Sequence, residues 1–326
     1  MSNHTKSGNG KIAVSGSLAF DLIMDFPGNF KDHILPDKLH VINISFLVGE
    51  LKRQRGGCAA NIAYTLALLG LSPRIVAAAG GDFADYDMWL RSHGVDTAGI
   101  HVFADHPTAS CHITTDLADN QITGFHPGAM GQAHHISLAA SIDAACEWVI
   151  VSPDDPGAMI RHCREARERG LKLIFDPSFQ VTAMDGDRLM DGARGAFALV
   201  LNDYEFAVFL EKTGRTRESL LANDVEMVIV TYGENGSEIH TRQGEHVKVP
   251  AAKPKAVVDP TGAGDAYRGG FLAGLLQGFP LDVCGRMGSV ASAYAIEQLG
   301  TQNHSYTREE FELRYADNFD GRLQHV

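Results

Sequence analysis

The sequence predicts an α/β protein: a mostly parallel central sheet covered by helices on both faces, with a second, smaller β-sheet beside it. Three observations carry that expectation. From residue 147 onward short apolar strands alternate with helices, the pattern of a sheet buried on both sides. Before that point short strands recur between turn residues with loose polar–apolar alternation, the pattern of a half-exposed sheet. Finally, the stretch Val258-Asp259-Pro260-Thr261-Gly262-Ala263-Gly264-Asp265 sets a glycine-rich turn directly ahead of the apolar run Phe271-Leu272-Ala273.

Taken in order, the first ten residues are polar and are expected to be a disordered tail. Residues 11–16 read as a short buried strand, and 21–26 as a strand with alternating faces. A loop with Pro27, Gly28 and Pro36 leads to a second candidate strand over 41–51, closed by the basic stretch Lys52-Arg53-Gln54-Arg55. Gly56-Gly57 opens an apolar helix over 59–69 that stops at Gly70. A buried strand at 74–79 and a helix at 86–93 follow, then short strands at 100–103, 109–115 and 121–125. The alternating part places strands at 147–151, 171–175, 197–201 and 226–231, with helices at 156–169 and 204–212. A hairpin over 237–249 and helices at 264–277, 281–298 and 307–315 complete the chain. The main domain is thus 11–326, with the small sheet drawn from 20–55 and 100–126.

The bulk properties narrow the function classes. A chain of 326 residues with 44% hydrophobic and 21% charged residues is ordinary for a globular protein with a large core. A net charge of −12 argues against nucleic acid or an anionic membrane as the main partner. Five scattered cysteines without a Cys-x-x-Cys pair fit a reducing compartment. No stretch reads as a signal peptide or a membrane span, so the expected location is the cytoplasm.

Ligands of such sheets sit beyond the carboxyl ends of the strands, and the chemistry-bearing residues cluster there. Glycines at 262 and 264 let backbone N–H groups converge, and a helix starting beside them aims its unpaired first-turn N–H groups at the same point. Asp265 then stands next to an anion cradle, placed to take a proton from a hydroxyl. The plainer alternative is a strand-to-helix turn with Asp265 as helix cap. Asn202 and Glu205 start another helix after a strand; they read either as holders of hydrated Mg²⁺ and triphosphate or as a capping box. Thr231, Gly233 and Gly236 form a strand end and turn, which is either a hairpin connection or a close backbone approach to phosphate. There is no P-loop and no dinucleotide-binding fingerprint, and His126, His134 and His135 lack acidic companions at ligand spacing.

In order, Gly56-Gly57-x-x-x-Asn61, Asn202-x-x-Glu205, Thr231-x-Gly233-x-x-Gly236 and Asp259-Pro260-Thr261-Gly262-Ala263-Gly264-Asp265 resemble the ribokinase-like (PfkB) carbohydrate kinases. Phe125-His126-Pro127-Gly128-Ala129-Met130 and Gly300-Thr301-Gln302-Asn303-His304 resemble the bacterial nucleoside and adenosine kinases within that family. The resemblance implies a ribokinase-like three-layer α/β/α domain with a β-sheet lid. It implies Asp265 as catalytic base, with Gly262, Ala263 and Gly264 as anion hole. It further implies Asp21, Gly57 and Asn61 as sugar contacts, and Asn202, Thr231, Gly233, Gly236, Gly262 and Gly264 as ATP contacts. Glu205 would act on Mg²⁺ through water. A monovalent cation such as K⁺ near Asp259 and a homodimer are further expectations of this kind, and Arg55 is a positional candidate for covering the phosphates. The expected reaction is phosphorylation of a nucleoside 5′-hydroxyl by ATP, adenosine first, with Phe125 stacking on the base. Alternatives are a broad purine nucleoside kinase (inosine, guanosine), a sugar kinase acting on ribose or fructose, and a silent nucleoside-binding protein.

Overall fold

A computed structural model describes residues 9–34, 45–118, 120–319 and 321–323. The chain begins with β1 (Asn9–Ser15) and β2 (Ala19–Asp25), then β3 (Glu50–Gly56), α1 (Cys58–Leu68), β4 (Ser72–Gly80), α2 (Ala84–Ser92) and β5 (Asp96–Phe103). Strands β6 (Ala109–Thr115) and β7 (Gln121–His126) follow, then α3 (Leu138–Ser141), β8 (Trp148–Val151), α4 (Pro156–Glu168), β9 (Lys172–Phe175), α5 (Gly186–Ala193) and β10 (Ala196–Asn202). The last third holds α6 (Asp203–Thr213), α7 (Arg217–Asn223), β11 (Val225–Thr231), β12 (Ser237–Thr241), β13 (His246–Val249), α8 (Ala263–Leu276), α9 (Leu281–Ile296) and α10 (Arg308–Asn318).

Among the described residues nine strands form the large sheet, in the order β13-β12-β11-β10-β9-β8-β1-β4-β5. All pair in parallel except β12 and β13, the antiparallel hairpin at one edge. The period of two along β1 divides the core. Ile12 and Val14 pack with Leu66 of α1, Tyr86 of α2, Phe271 of α8, Val290 of α9 and Phe311 of α10. Ala13 faces the other layer, with Leu138, Met159, Leu189, Phe209 and Leu220 from α3 to α7. Helix α8 is wedged between its neighbours by glycines. A Cβ at Gly269 would stand 2.6 Å from Thr65 Cβ of α1, and one at Gly270 2.6 Å from the Met287 carbonyl of α9. That close packing fixes the helix whose first turn carries Asp265.

The second sheet has the order β3-β2-β6-β7. Three expectations are corrected here. The strand partner of β2 is not 41–51 but β3, which contains the basic stretch and pairs from Ala19↔Gly56 to Asp25↔Glu50. Residues 41–44 lie outside the described residues, and Phe46 is spent on a cluster with Phe26 and Phe30 instead of a ladder. An edge strand tolerates long charged side chains because their heads remain in water. Residues 100–103, assigned to the small sheet, end β5 and pair in parallel with β4 of the large sheet. Of the supposed tail, Asn9 and Gly10 belong to β1; residues 1–8 lie outside the described residues.

Candidate active site

The carboxyl ends of β1, β8, β9, β10 and β11 meet the amino end of α8. Gly262 caps that helix at φ 81°, a left-handed conformation, and a Cβ there would meet Thr301 Cγ2 at 2.8 Å. Residue 262 therefore has two independent reasons to be glycine. Asp265 lies in the first helical turn, half-buried. Asn61 of α1 donates its Nδ2 hydrogen to Asp265 Oδ2 at 2.8 Å. The Asn61 carbonyl is itself held, accepting from Thr301 Oγ1 at 2.8 Å and from Gln302 Nε2 at 2.7 Å. Gln302 is in turn fixed on Tyr86, whose hydroxyl donates to the Gly56 carbonyl at 2.9 Å. The carboxylate is thus aimed by a chain of buried contacts. Burial raises its pKa, opposed by the Arg268 guanidinium and by hydrogen bonds from Asn61 and Cys58.

One turn behind Asp265, Arg268 is buried and paired to Asp176 at the end of β9, Nη2 to Oδ1 at 2.6 Å and Nε to Oδ2 at 2.5 Å. Burial pushes the Asp176 carboxyl up, and the guanidinium opposes it. A Cβ on Gly264 would come within 2.8 Å of Arg268 Nη1, so the anion cradle and this pair touch. Ser178 follows at φ 44°, a rare conformation for a residue with a side chain, and its hydroxyl donates to Glu205 Oε1 at 3.2 Å. Glu205 and Asn202 form the capping box of α6: Glu205 N–H to Asn202 Oδ1 at 2.7 Å, and Asn202 N–H to Glu205 Oε2 at 2.9 Å. Each Glu205 oxygen keeps a free lone pair, so a hydrated Mg²⁺ fits against it through water.

Two joined cavities lie over these groups. One of about 460 Å³ is lined by Cys58, Ser178, Asn202, Glu205, Asp265 and Arg268. The other, about 670 Å³, is bounded by Gly236, Val257, Tyr267, Ser292 and Ile296. Both include Thr231, Gly233 and Gly264, so the turn after β11 and the start of α8 form the waist between them. Gly236 is fixed by packing: a Cβ there would meet the Val249 carbonyl at 2.0 Å. The small sheet approaches from the other side. Gly57 caps α1 at φ 96°, where a Cβ would run into the backbone of Ser17 to Ala19, and Asn303 Nδ2 donates to Gln54 Oε1 at 2.7 Å. Gln54, Asp21, Cys111 and Phe125 stand in one cross-strand row over all four strands, and such a row shares one face. Burial, then the nearby Asp259, raises the Asp21 carboxyl to about 6. Asp259 is held by the backbone N–H groups of Thr261 and Gly300, each at 2.9 Å.

Of the residues singled out from sequence, Asn61, Asp265 and the Gly262–Gly264 turn are brought into contact, Asn202 and Glu205 into the adjoining cavity, and Asp21 and Phe125 onto one face of the small sheet. Arg55 is placed elsewhere: its guanidinium lies 4.7 Å from the Trp89 ring centre, on the strand face opposite Gln54. The His134 and His135 rings lie against each other, tilted by 43°, without an acidic partner among the described residues. Asp176, Ser178, Arg268 and Cys58 are not reached by sequence reasoning. The available signal for Arg268 was its place one helical turn after Asp265, and for Asp176 its place just past a strand.

A profile of the pfkB family carbohydrate kinases matches residues 16–308, and the chain belongs to that family. It is therefore a phosphotransferase with an alcohol group as acceptor, on the ribokinase-like fold. The nucleoside kinase of Methanothermobacter thermautotrophicus is 31% identical over 295 residues, covering 90% of this chain and 91% of its own. A solved structure of Burkholderia thailandensis nucleoside kinase in complex with inosine is 38% identical, with a TM-score of 0.84 over 95% of this chain and 99% of that one. A second, of the same protein in complex with ADP-inosine, is 38% identical, with a TM-score of 0.83 over 97% and 98% of the two chains.

Proposed function

We propose that this protein transfers the γ-phosphoryl group of ATP to the 5′-hydroxyl of a purine nucleoside. The observation that carries the reading is Asp265: a carboxylate oriented by Asn61 at a helix amino terminus, on the wall of the smaller cavity and next to Gly264, where that cavity joins the larger, nucleotide-sized one. ATP takes the larger cavity, its phosphates reaching the waist at Thr231, Gly233 and Gly264. The sugar hydroxyls lie against Asp21, and the base against Phe125. Asp265 accepts the 5′-hydroxyl proton as that oxygen attacks the γ-phosphorus in line and the bond from the γ-phosphorus to the β–γ bridging oxygen breaks, releasing ADP; the N–H groups of Gly262, Ala263 and Gly264 stabilise the charge on the transferred phosphoryl oxygens. Mg²⁺, held near Glu205 and Asn202 through water, supplies charge neutralisation on the triphosphate. Asn61 acts here as a positioning residue for Asp265, with its sugar contact limited to the one Nδ2 hydrogen left over.

The likeness to a nucleoside kinase solved with inosine supports purine nucleosides as a class, adenosine and inosine together, over adenosine alone. A turnover panel of adenosine, inosine, guanosine, cytidine, ribose and fructose, read as ADP formed from ATP and Mg²⁺, tests the reading. Purine nucleosides should lead; efficient turnover of ribose or fructose with purine nucleosides inert overturns it. Asp265→Asn should lower kcat by about 10²–10⁴-fold while changing nucleoside binding much less. Near wild-type turnover in that variant removes Asp265 from the chemistry.

A further inference from the structure

Away from the cleft, the hairpin at the sheet edge gathers a donor set that phosphoryl transfer does not use. Glu238 and His240 on β12 and His246 and Lys248 on β13 share one face, through the pairs Glu238↔Lys248 and His240↔His246. Ile239, between them in sequence, is buried on the other face. Glu238 Oε2 lies 3.1 Å from His240 Nε2 and 3.4 Å from His246 Nε2. The two imidazoles are nearly parallel, 16° apart with centres at 4.0 Å, so their in-plane Nε2 lone pairs run side by side, and the exposed His246 ring must turn about its side-chain bonds to bring both onto one ion. All three ligand atoms lie within 4.8 Å of one another. A tetrahedral zinc site with bonds of about 2.0–2.2 Å has ligand-to-ligand edges of about 3.3–3.6 Å, and the two contacts to Glu238 Oε2 sit close to that edge. The other Glu238 oxygen, Oε1, is 3.3 Å from Lys248 Nζ, which fixes the carboxylate so that Oε2 faces the histidines.

We propose that Glu238, His240 and His246 bind a divalent transition-metal ion of the zinc type, with water in the fourth position. Two imidazoles and one carboxylate around an open position suit that class and not Mg²⁺ or Ca²⁺, which take oxygen ligands. The ion clamps β12 to β13 across their register. β12 leaves the turn that ends at Gly236, which packs too closely on the Val249 carbonyl at the end of β13 to admit a side chain, so the metal stiffens the hairpin behind the larger cavity. The surroundings oppose over-tight binding, since Lys248 on β13 and Arg217 on α7 bring positive charge to the cluster and Glu218 on α7 offsets only part of it.

The test uses the full chain, stripped with EDTA and freed of chelator, without ATP. Zn²⁺ is titrated calorimetrically and Co²⁺ by its visible absorption. One equivalent should bind with micromolar affinity, Co²⁺ should show the intense bands of four-coordination, and Zn²⁺ should raise the Tm. His246→Ala and Glu238→Gln should each weaken binding by at least about tenfold, abolish the Tm rise and leave kinase turnover unchanged. His246 is exposed, so its variant should fold normally. The absence of saturable Zn²⁺ binding reduces the cluster to side-chain contacts between Glu238 and the two imidazoles and overturns the proposal. Binding of equal strength in both variants also overturns it, because the ion then sits elsewhere, for example at His134 and His135.

Discussion

Asp21 shows how a residue proposed to hold the substrate can stand against the stability of its own fold. Burial and the nearby Asp259 raise its carboxyl from 3.8 to about 6. Between those two values the native state holds a proton that the unfolded chain has released, so the contribution of Asp21 to stability is most favourable below pH 4 and falls as the pH rises through 6. Above that range the ionised carboxylate costs on the order of 1–3 kcal/mol. Asp21→Asn removes the charge and keeps the shape. Its Tm should exceed that of the wild type by several degrees at pH 8, with the gap closing at pH 4, in parallel thermal melts. The same variant should raise the nucleoside KM, because an amide is a poorer acceptor for sugar hydroxyls than a carboxylate. A Tm gap of equal size at both pH values would show that ionisation is not the source of the strain.

At the level of elements, α6 carries two readings of one motif. Its capping box is fully formed, so Asn202 and Glu205 have a structural role whatever else they do. Their place beside Asp265, on the wall of the smaller cavity, supports a second role with Mg²⁺ and phosphate. Glu205→Gln separates the two, since glutamine still accepts from the Asn202 N–H but carries no charge. The variant should fold with a Tm close to that of the wild type, while turnover drops and the Mg²⁺ concentration for half-maximal rate rises. Unaltered Mg²⁺ dependence confines Glu205 to capping. This motif was legible because both of its members are local, three residues apart. The buried strands and the last three helices were legible for a related reason: apolar periodicity is written along the chain. β3 was not, because Glu50–Gly56 is mostly charged and becomes a strand only by pairing with β2. α5 and α7 were missed as short helices of eight and seven residues, the first opening on glycine. The Arg268–Asp176 pair joins residues 92 positions apart, a contact that no local pattern encodes.

The whole molecule sets two surfaces facing one site: the strand ends and α8 of the large sheet, and one face of the small sheet. The polar chemistry is on the first, and on the second the row Gln54, Asp21, Cys111 and Phe125 runs from a hydrogen bond with Asn303 to an exposed aromatic ring. Phe125 is 50% exposed, and β7 is exposed along its whole length. Were the ring there to pack the small sheet onto the large one, it would be covered. Its exposure on the same face as Asp21 instead suits a partner that arrives with the substrate, and a purine offers a flat face where a free sugar does not. Stacking of a base on an aromatic ring contributes about 1–3 kcal/mol. Phe125→Ala should therefore raise the adenosine KM by roughly ten-fold, with kcat less affected, and leave the Tm unchanged because no core contact is lost. Steady-state kinetics and a thermal melt on one preparation decide the matter: a falling Tm with an unmoved KM would return Phe125 to a packing role and leave the base to be recognised elsewhere.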